Sequence, residues 1–139
     1  MRIIKLSEEI FSDLDDVMEF FRDYLPQRDP PGKFRITEGR IAQGGLEPGE
    51  EVLFSYNGKI YFMAQSATGR LANEDKHKDE YPFYFLVDMD TLRPVGMSLH
   101  DVEQRYHHET GETKSLVQTR GWPKIENEGF TTSFWDSLK

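Results

Sequence analysis

Apolar residues recur at helical spacing near the start of the chain and change to a two-residue period beyond residue 33. In "SEEIFSDLDDVMEFFRDYL", Ile10, Leu14, Val17, Met18, Phe21 and Leu25 share one face, Ser7 is placed to cap, and acids crowd the first turns. This spacing predicts an acidic amphipathic helix over about 8–25. The following "PQRDPPG" forbids continuation, because three prolines and a glycine cannot extend a helix. Asn57-Gly58, between "EVLFSY" and "KIYFMAQ", is the favoured pair for a type I′ hairpin, in which both central residues take positive φ. It predicts antiparallel strands at about 51–56 and 59–65. "YPFYFLVDM" is apolar at nearly every position and predicts a central strand covered on both faces.

Between that strand and the hairpin, "SATGRLANEDKHKDE" reads as a long polar loop of the kind that is functional or mobile. Ser98 caps a short second helix that carries Leu99, Val102 and Tyr106 on one face, with Asp101 in the capping-box position. "KSLVQTRGWPKI" reads as a further strand ending in a turn at Gly121 and Pro123, and the aromatic tail "FTTSFWDSL" packs back onto the body.

Composition narrows the function. A chain of 139 residues with 13% aromatics is expected to be one globular domain with a packed core. The absence of cysteine excludes disulfides, thiolate zinc sites and thiol catalysis. The early apolar run is too short for a signal peptide and no stretch reaches membrane-spanning length, so a soluble, cytoplasmic protein with no membrane partner is expected. A net charge of −8 argues against gripping nucleic acid mainly by neutralising many phosphates. That charge is uneven: residues 1–25 hold much of the excess acid, whereas Thr113 to Ile125 carries Lys114, Arg120 and Lys124 with no acid.

The candidate chemistry centres on "FRITEGR". If residues 34–38 are extended, Phe34, Ile36 and Glu38 share one face, and Arg40 joins them if the strand persists through Gly39. A charged pair placed there needs a partner or a ligand. Two readings stand: a structural Glu38–Arg40 ion pair, or a cleft in which Arg35 and Arg40 take phosphate or a base edge while Glu38 accepts from an exocyclic amine. "TRGWPK" adds Arg120, Trp122 and Lys124, and "SATGR" adds Ser66 and Arg70; Trp122 either packs in the core or stacks on a base. His100 and His107 lie two helical turns apart, which favours a solvated face over a metal site. Asp88 and Asp90 read as turn chemistry. No phosphate loop, nucleophile elbow or triad is present, and neither metal nor cofactor is expected.

The order Arg35-x-x-Glu38-x-Arg40, then "LEPGEEVLF", then a strand ending in a small and polar run, resembles the ASCH and EVE branches of the PUA-like superfamily across about residues 32–100. Glu38 and Arg40 match most directly; Arg35 stands where the ASCH pattern usually has lysine, and Glu50 replaces the usual aspartate after Gly49. The resemblance implies an α+β domain built on a small, mostly antiparallel PUA-like β-barrel with flanking helices. The barrel would span about 33–125, with a tail over 126–139. It also implies a cleft for a nucleobase, often modified or flipped, in RNA or DNA. The expected function is non-catalytic recognition of nucleic acid or a nucleotide, RNA ahead of DNA, through Arg35, Glu38, Arg40, Ser66, Arg70, Arg120, Trp122 and Lys124. The alternatives are a small hydrolase acting on a modified nucleoside, with Glu38 as general acid or base, and a domain that docks a protein partner on its acidic segment 8–25.

Overall fold

In the computed structural model, which describes residues 1–138, the chain enters as a strand, β1 (Arg2–Lys5), whose apolar residues Ile3 and Ile4 are completely buried. Four residues are too few to show a period, and sequence patterning missed this element. β1 pairs in parallel with β3 (Glu51–Tyr56), which forms the predicted hairpin with β4 (Lys59–Ser66) through Asn57 and Gly58, both at positive φ. β4 pairs with the long β6 (Phe83–Ser98), and β6 pairs in turn with β2 (Lys33–Ile36) and the two-residue β5 (Leu71–Ala72). The path β1-β3-β4-β6-β2 curls into a half-barrel whose two end strands do not meet. The fold is therefore α+β, but its sheet is mixed rather than antiparallel throughout. The reason lies in the connection, because the chain crosses from β1 through a helix and β2 before β3, and a crossover of that kind returns a strand in the same direction.

Alternation along the strands divides the core between the two faces of the sheet. Ile4, Val52, Phe54, Phe62 and Ala64 face one cluster, closed by Val17, Phe21 and Leu25; Ile3, Leu53, Ile60 and Met63 face the other, closed by α2 (Leu99–Thr110) and α3 (Glu128–Ser137). The tail does pack back, burying Phe130, Phe134 and Trp135.

Several elements differ from expectation. The first helix begins at Leu14, not near residue 8: Asp13, rather than Ser7, accepts from the Asp16 amide and caps α1 (Leu14–Glu19). The chain then widens into a π-turn over Phe20–Tyr24 and tightens over Leu25–Gln27, which lets adjacent Phe20 and Phe21 both bury. β6 buries Phe85 and Val87 but leaves Tyr84 and Leu86 partly open, so "YPFYFLVDM" is covered fully on one face only. Asp88 and Asp90 sit where β6 bulges: the pairing jumps from Met63↔Arg93 to Gln65↔Asp88, and the Asp90 amide donates to the Asp88 carboxylate at 3.1 Å.

The strand expected within 114–125 does not form; one isolated bridge joins Lys124 to Arg2. That stretch is instead held by side chains. The Glu103 carboxylate accepts from the Leu116 amide at 2.6 Å, the Val117 amide at 3.1 Å and the Ser115 hydroxyl at 3.0 Å. Burial pushes the Glu103 carboxyl upward, yet these donors outweigh it and hold the group below its usual range.

Candidate nucleic-acid interface

The β2 strand ends at Ile36, and a turn through Glu38 and Gly39, the latter at φ 84°, throws the chain off the sheet. The two-residue period that would have aligned Glu38 and Arg40 with Phe34 and Ile36 is broken there, and Arg35, Glu38 and Arg40 go to separate places. Glu38 is exposed and has no hydrogen bond or ion pair among the described residues, so it does not neutralise Arg40.

Arg40 reaches instead toward the 120s. Its Nη1 donates to the Arg120 carbonyl at 3.2 Å, and its guanidinium lies 5.6 Å from the centre of the Trp122 ring. Trp122 is half-buried: its Nε1 donates to the Lys5 carbonyl at 3.2 Å, and one side of the ring meets Phe34 at 6.3 Å. The loop after Arg40 is fastened by cations that donate to its carbonyls. Arg70 donates to Ile41 at 3.0 Å and lies 3.8 Å above the Phe83 ring, while Lys124 and the buried Arg2 both donate to Gly45. Four of the predicted residues, Arg40, Arg70, Arg120 and Trp122, thus gather around one loop from three distant parts of the sequence. Two of the other four, Ser66 and Lys124, are engaged within the fold. Ser66 is buried, donating to the Glu47 carbonyl at 2.7 Å and accepting from the Glu50 amide at 3.2 Å, and Lys124 is paired with Glu50 at 3.1 Å.

Arg35 belongs to a neighbouring cluster on the edge strand β2. The polar segment 73–81 folds across this edge and places Asp75 between two cations, 2.8 Å from the Arg35 Nε and 2.9 Å from the Lys33 Nζ. Burial alone would raise the Asp75 carboxyl. Hydrogen bonds from Lys33, the His77 amide, Arg35 and Asn73 prevail and hold it far below the ordinary carboxylate range. Beside Arg35 lies Arg28, whose Nη1 donates to the Lys33 carbonyl at 2.7 Å and whose guanidinium sits 4.9 Å over the Phe20 ring. Burial, and then the nearby Arg35 charge, pull Arg28 down to about 10, still fully protonated at neutral pH.

These groups line a concavity of about 90 Å³ walled by Phe11, Phe20, Phe34 and Tyr81, with the guanidiniums of Arg28 and Arg35 at its polar side. Phe20 meets Phe11 at 5.3 Å and Phe34 at 6.0 Å, both edge to face, so the walls are mutually braced. Phe34 also touches Trp122, and this one side chain joins the concavity to the Arg40 loop. Larger hollows exist, but their chemistry differs: one of about 430 Å³ is lined by Glu47, Glu50, Glu51, Glu126 and Glu128, which would repel phosphate.

Sequence reasoning missed Arg28, Lys33, Phe20, Asp75 and Tyr81. The signal for Arg28 was a lone cation inside the proline-rich connector, and for Asp75 and Tyr81 the unusual length of the polar segment. His107 shares its Nε2 with the Lys114 carbonyl at 2.6 Å, and no group of three or more His, Asp or Glu among the described residues is arranged to hold a metal.

The fold and this edge define a small α+β half-barrel with an aromatic, guanidinium-lined recess. No family model matches the chain, and no curated protein matches it. The structure is similar to that of the YTH domain of Zygosaccharomyces rouxii MRB1 protein, crystallised in complex with N6-methyladenosine RNA. The TM-score is 0.57 with 19% identity, covering 99% of this chain and 85% of that one.

Proposed function

We propose that this protein is a non-catalytic reader of a single nucleobase, plain or modified, within a nucleic acid, RNA ahead of DNA. The observation that carries this reading is the recess around Phe20, Phe34, Arg28 and Arg35, continued through Phe34 to the Arg40–Trp122 pair. Aromatic walls accept the faces of a planar ring, guanidiniums bond its edge, and the exposed cations of the adjoining loop take the flanking phosphates. A recess of about 90 Å³ holds roughly the volume of three waters, enough for the edge of one ring with the remainder at the mouth. The exposed Ile10 at that mouth offers apolar cover. The likeness to a YTH domain solved with methylated RNA supports an RNA ligand, and the half-barrel is compatible with a small RNA-binding domain rather than specifically with the PUA-like group that the sequence resembles.

Fluorescence anisotropy of a labelled single-stranded RNA at low salt tests the reading. Saturable binding is expected; Arg40→Ala should weaken it about three- to ten-fold, the loss of one cation–π-braced phosphate contact, and Glu38→Gln should leave it unchanged. An Arg40→Ala variant that is folded and binds as tightly as the parent would contradict the assignment of the loop.

A further inference from the structure

Arg28 and Arg35 line the recess, Lys33 lies beside them on β2, and Asp75 is the one carboxylate ion-paired with Lys33 and Arg35 among the described residues. In a protein of net charge −8 this is a local excess of positive charge, three cations against Asp75 and the Glu80 carboxylate beside Tyr81, held in partly desolvated surroundings. Among the described residues each of the two guanidiniums lining the recess makes a single hydrogen bond, Arg28 to the Lys33 carbonyl and Arg35 to Asp75, and keeps its other N–H donors free. The remaining lining side chains are apolar or aromatic, and the Tyr81 hydroxyl is the sole side-chain acceptor among them. The recess is therefore a surface of donors set between aromatic rings.

A donor surface discriminates by leaving wrong partners unpaired. A base whose inserted edge carries an amino group would set N–H against N–H, at the cost of a desolvated and unsatisfied donor on each side. A base whose edge carries two acceptors matches the fork of a guanidinium. The 6-oxo group and N7 of guanine present that pair at the spacing an arginine bridges.

We infer that the recess selects a 6-oxopurine with a free N7, guanine or a derivative that keeps both acceptors, and rejects adenine and N6-methyladenine. This rests on the reading of the recess as a base site and specifies its ligand, which would differ from the base named for the similar YTH domain.

The test is a set of single-stranded oligouridine RNAs, identical except for one central guanine, 7-deazaguanine, adenine or N6-methyladenine, with an all-uridine control, each titrated by anisotropy. Guanine is expected to bind about ten-fold more tightly than adenine or N6-methyladenine, and 7-deazaguanine to lose most of that advantage. Arg28→Lys and Arg35→Lys keep the charge but lose the fork, so each variant, shown to be folded by circular dichroism, should erase the guanine preference. Equal affinity for all four central bases, all tighter than the all-uridine control, or a preference for N6-methyladenine, overturns the inference while the base-reading function survives. Saturable binding by none of the five RNAs overturns both.

Discussion

Among single residues, Asp75 sits between Lys33 and Arg35 and pins the 73–81 segment to the edge of the sheet. Its folded-state carboxyl is held below the range of an unfolded aspartate, so it adds stability that is complete above about pH 4 and is lost as pH falls through the folded value. Asp75→Asn is therefore expected to cost about 1–3 kcal/mol at pH 7, from the loss of charge-assisted hydrogen bonds, with the deficit shrinking as pH falls from 5 toward 2. Urea unfolding of both proteins across that range checks it, and a deficit independent of pH would show that the carboxylate charge is not what matters. None of this was legible in the sequence. Asp75 lies 40 positions from Arg35 within a run of mixed charges, and nothing local distinguishes it from Glu74 or Asp79.

At the scale of elements, what could be read was what short-range chemistry decides. Asn57-Gly58 specified its hairpin because the turn needs two positive φ values, and Ser98 capped α2 by accepting from the Asp101 amide at 2.9 Å. The failures have a common cause in long-range contacts. β1 is recognisable only through its parallel partner β3, and the stretch 114–125 has strand-like composition but no continuous ladder to join, because Glu103 and Lys5 take its backbone groups. The alignment expected for Phe34, Ile36, Glu38 and Arg40 assumed a strand running through Gly39, whereas β2 ends at Ile36 and Gly39 lies in the turn beyond it.

β2 itself depends on Gly32, which sits at φ 84° with its carbonyl accepting from the Val87 amide at 2.9 Å; a Cβ there would run into the Val87 carbonyl. Gly32→Ala should cost about 2–4 kcal/mol, through the left-handed backbone and the overlap together. Because β2 carries Phe34 and Arg35, RNA affinity measured under conditions where the variant remains folded should fall as well. A stable variant with unchanged affinity would show that the position of β2 is not critical.

At the scale of the whole molecule, charge is segregated. Seven acids stand among residues 1–25, five glutamates line the 430 Å³ hollow, and Arg28, Lys33, Arg35, Arg40, Arg70 and Arg120 concentrate along one edge and its adjoining loop. Among these, Arg40, Arg70 and Arg120 adjoin the loop and carry no ion pair among the described residues. Three phosphate contacts on a single strand correspond to a slope of about −2 in log affinity against log salt, far shallower than for a protein that grips mainly by charge. A slope steeper than about −4 would mean that the backbone, and not the recess, supplies most of the binding.

The most direct test of the central claim is a ¹H–¹⁵N NMR titration of the isotope-labelled protein with a short single-stranded RNA. The account predicts that shifts concentrate at the Arg28 and Arg35 side-chain N–H groups, at the amides of Phe34 and Tyr81, and at the Trp122 indole, with Trp135 on the opposite face of the sheet unmoved. Shifts centred on α2 and α3 with the recess silent would place the RNA elsewhere on the molecule and contradict it.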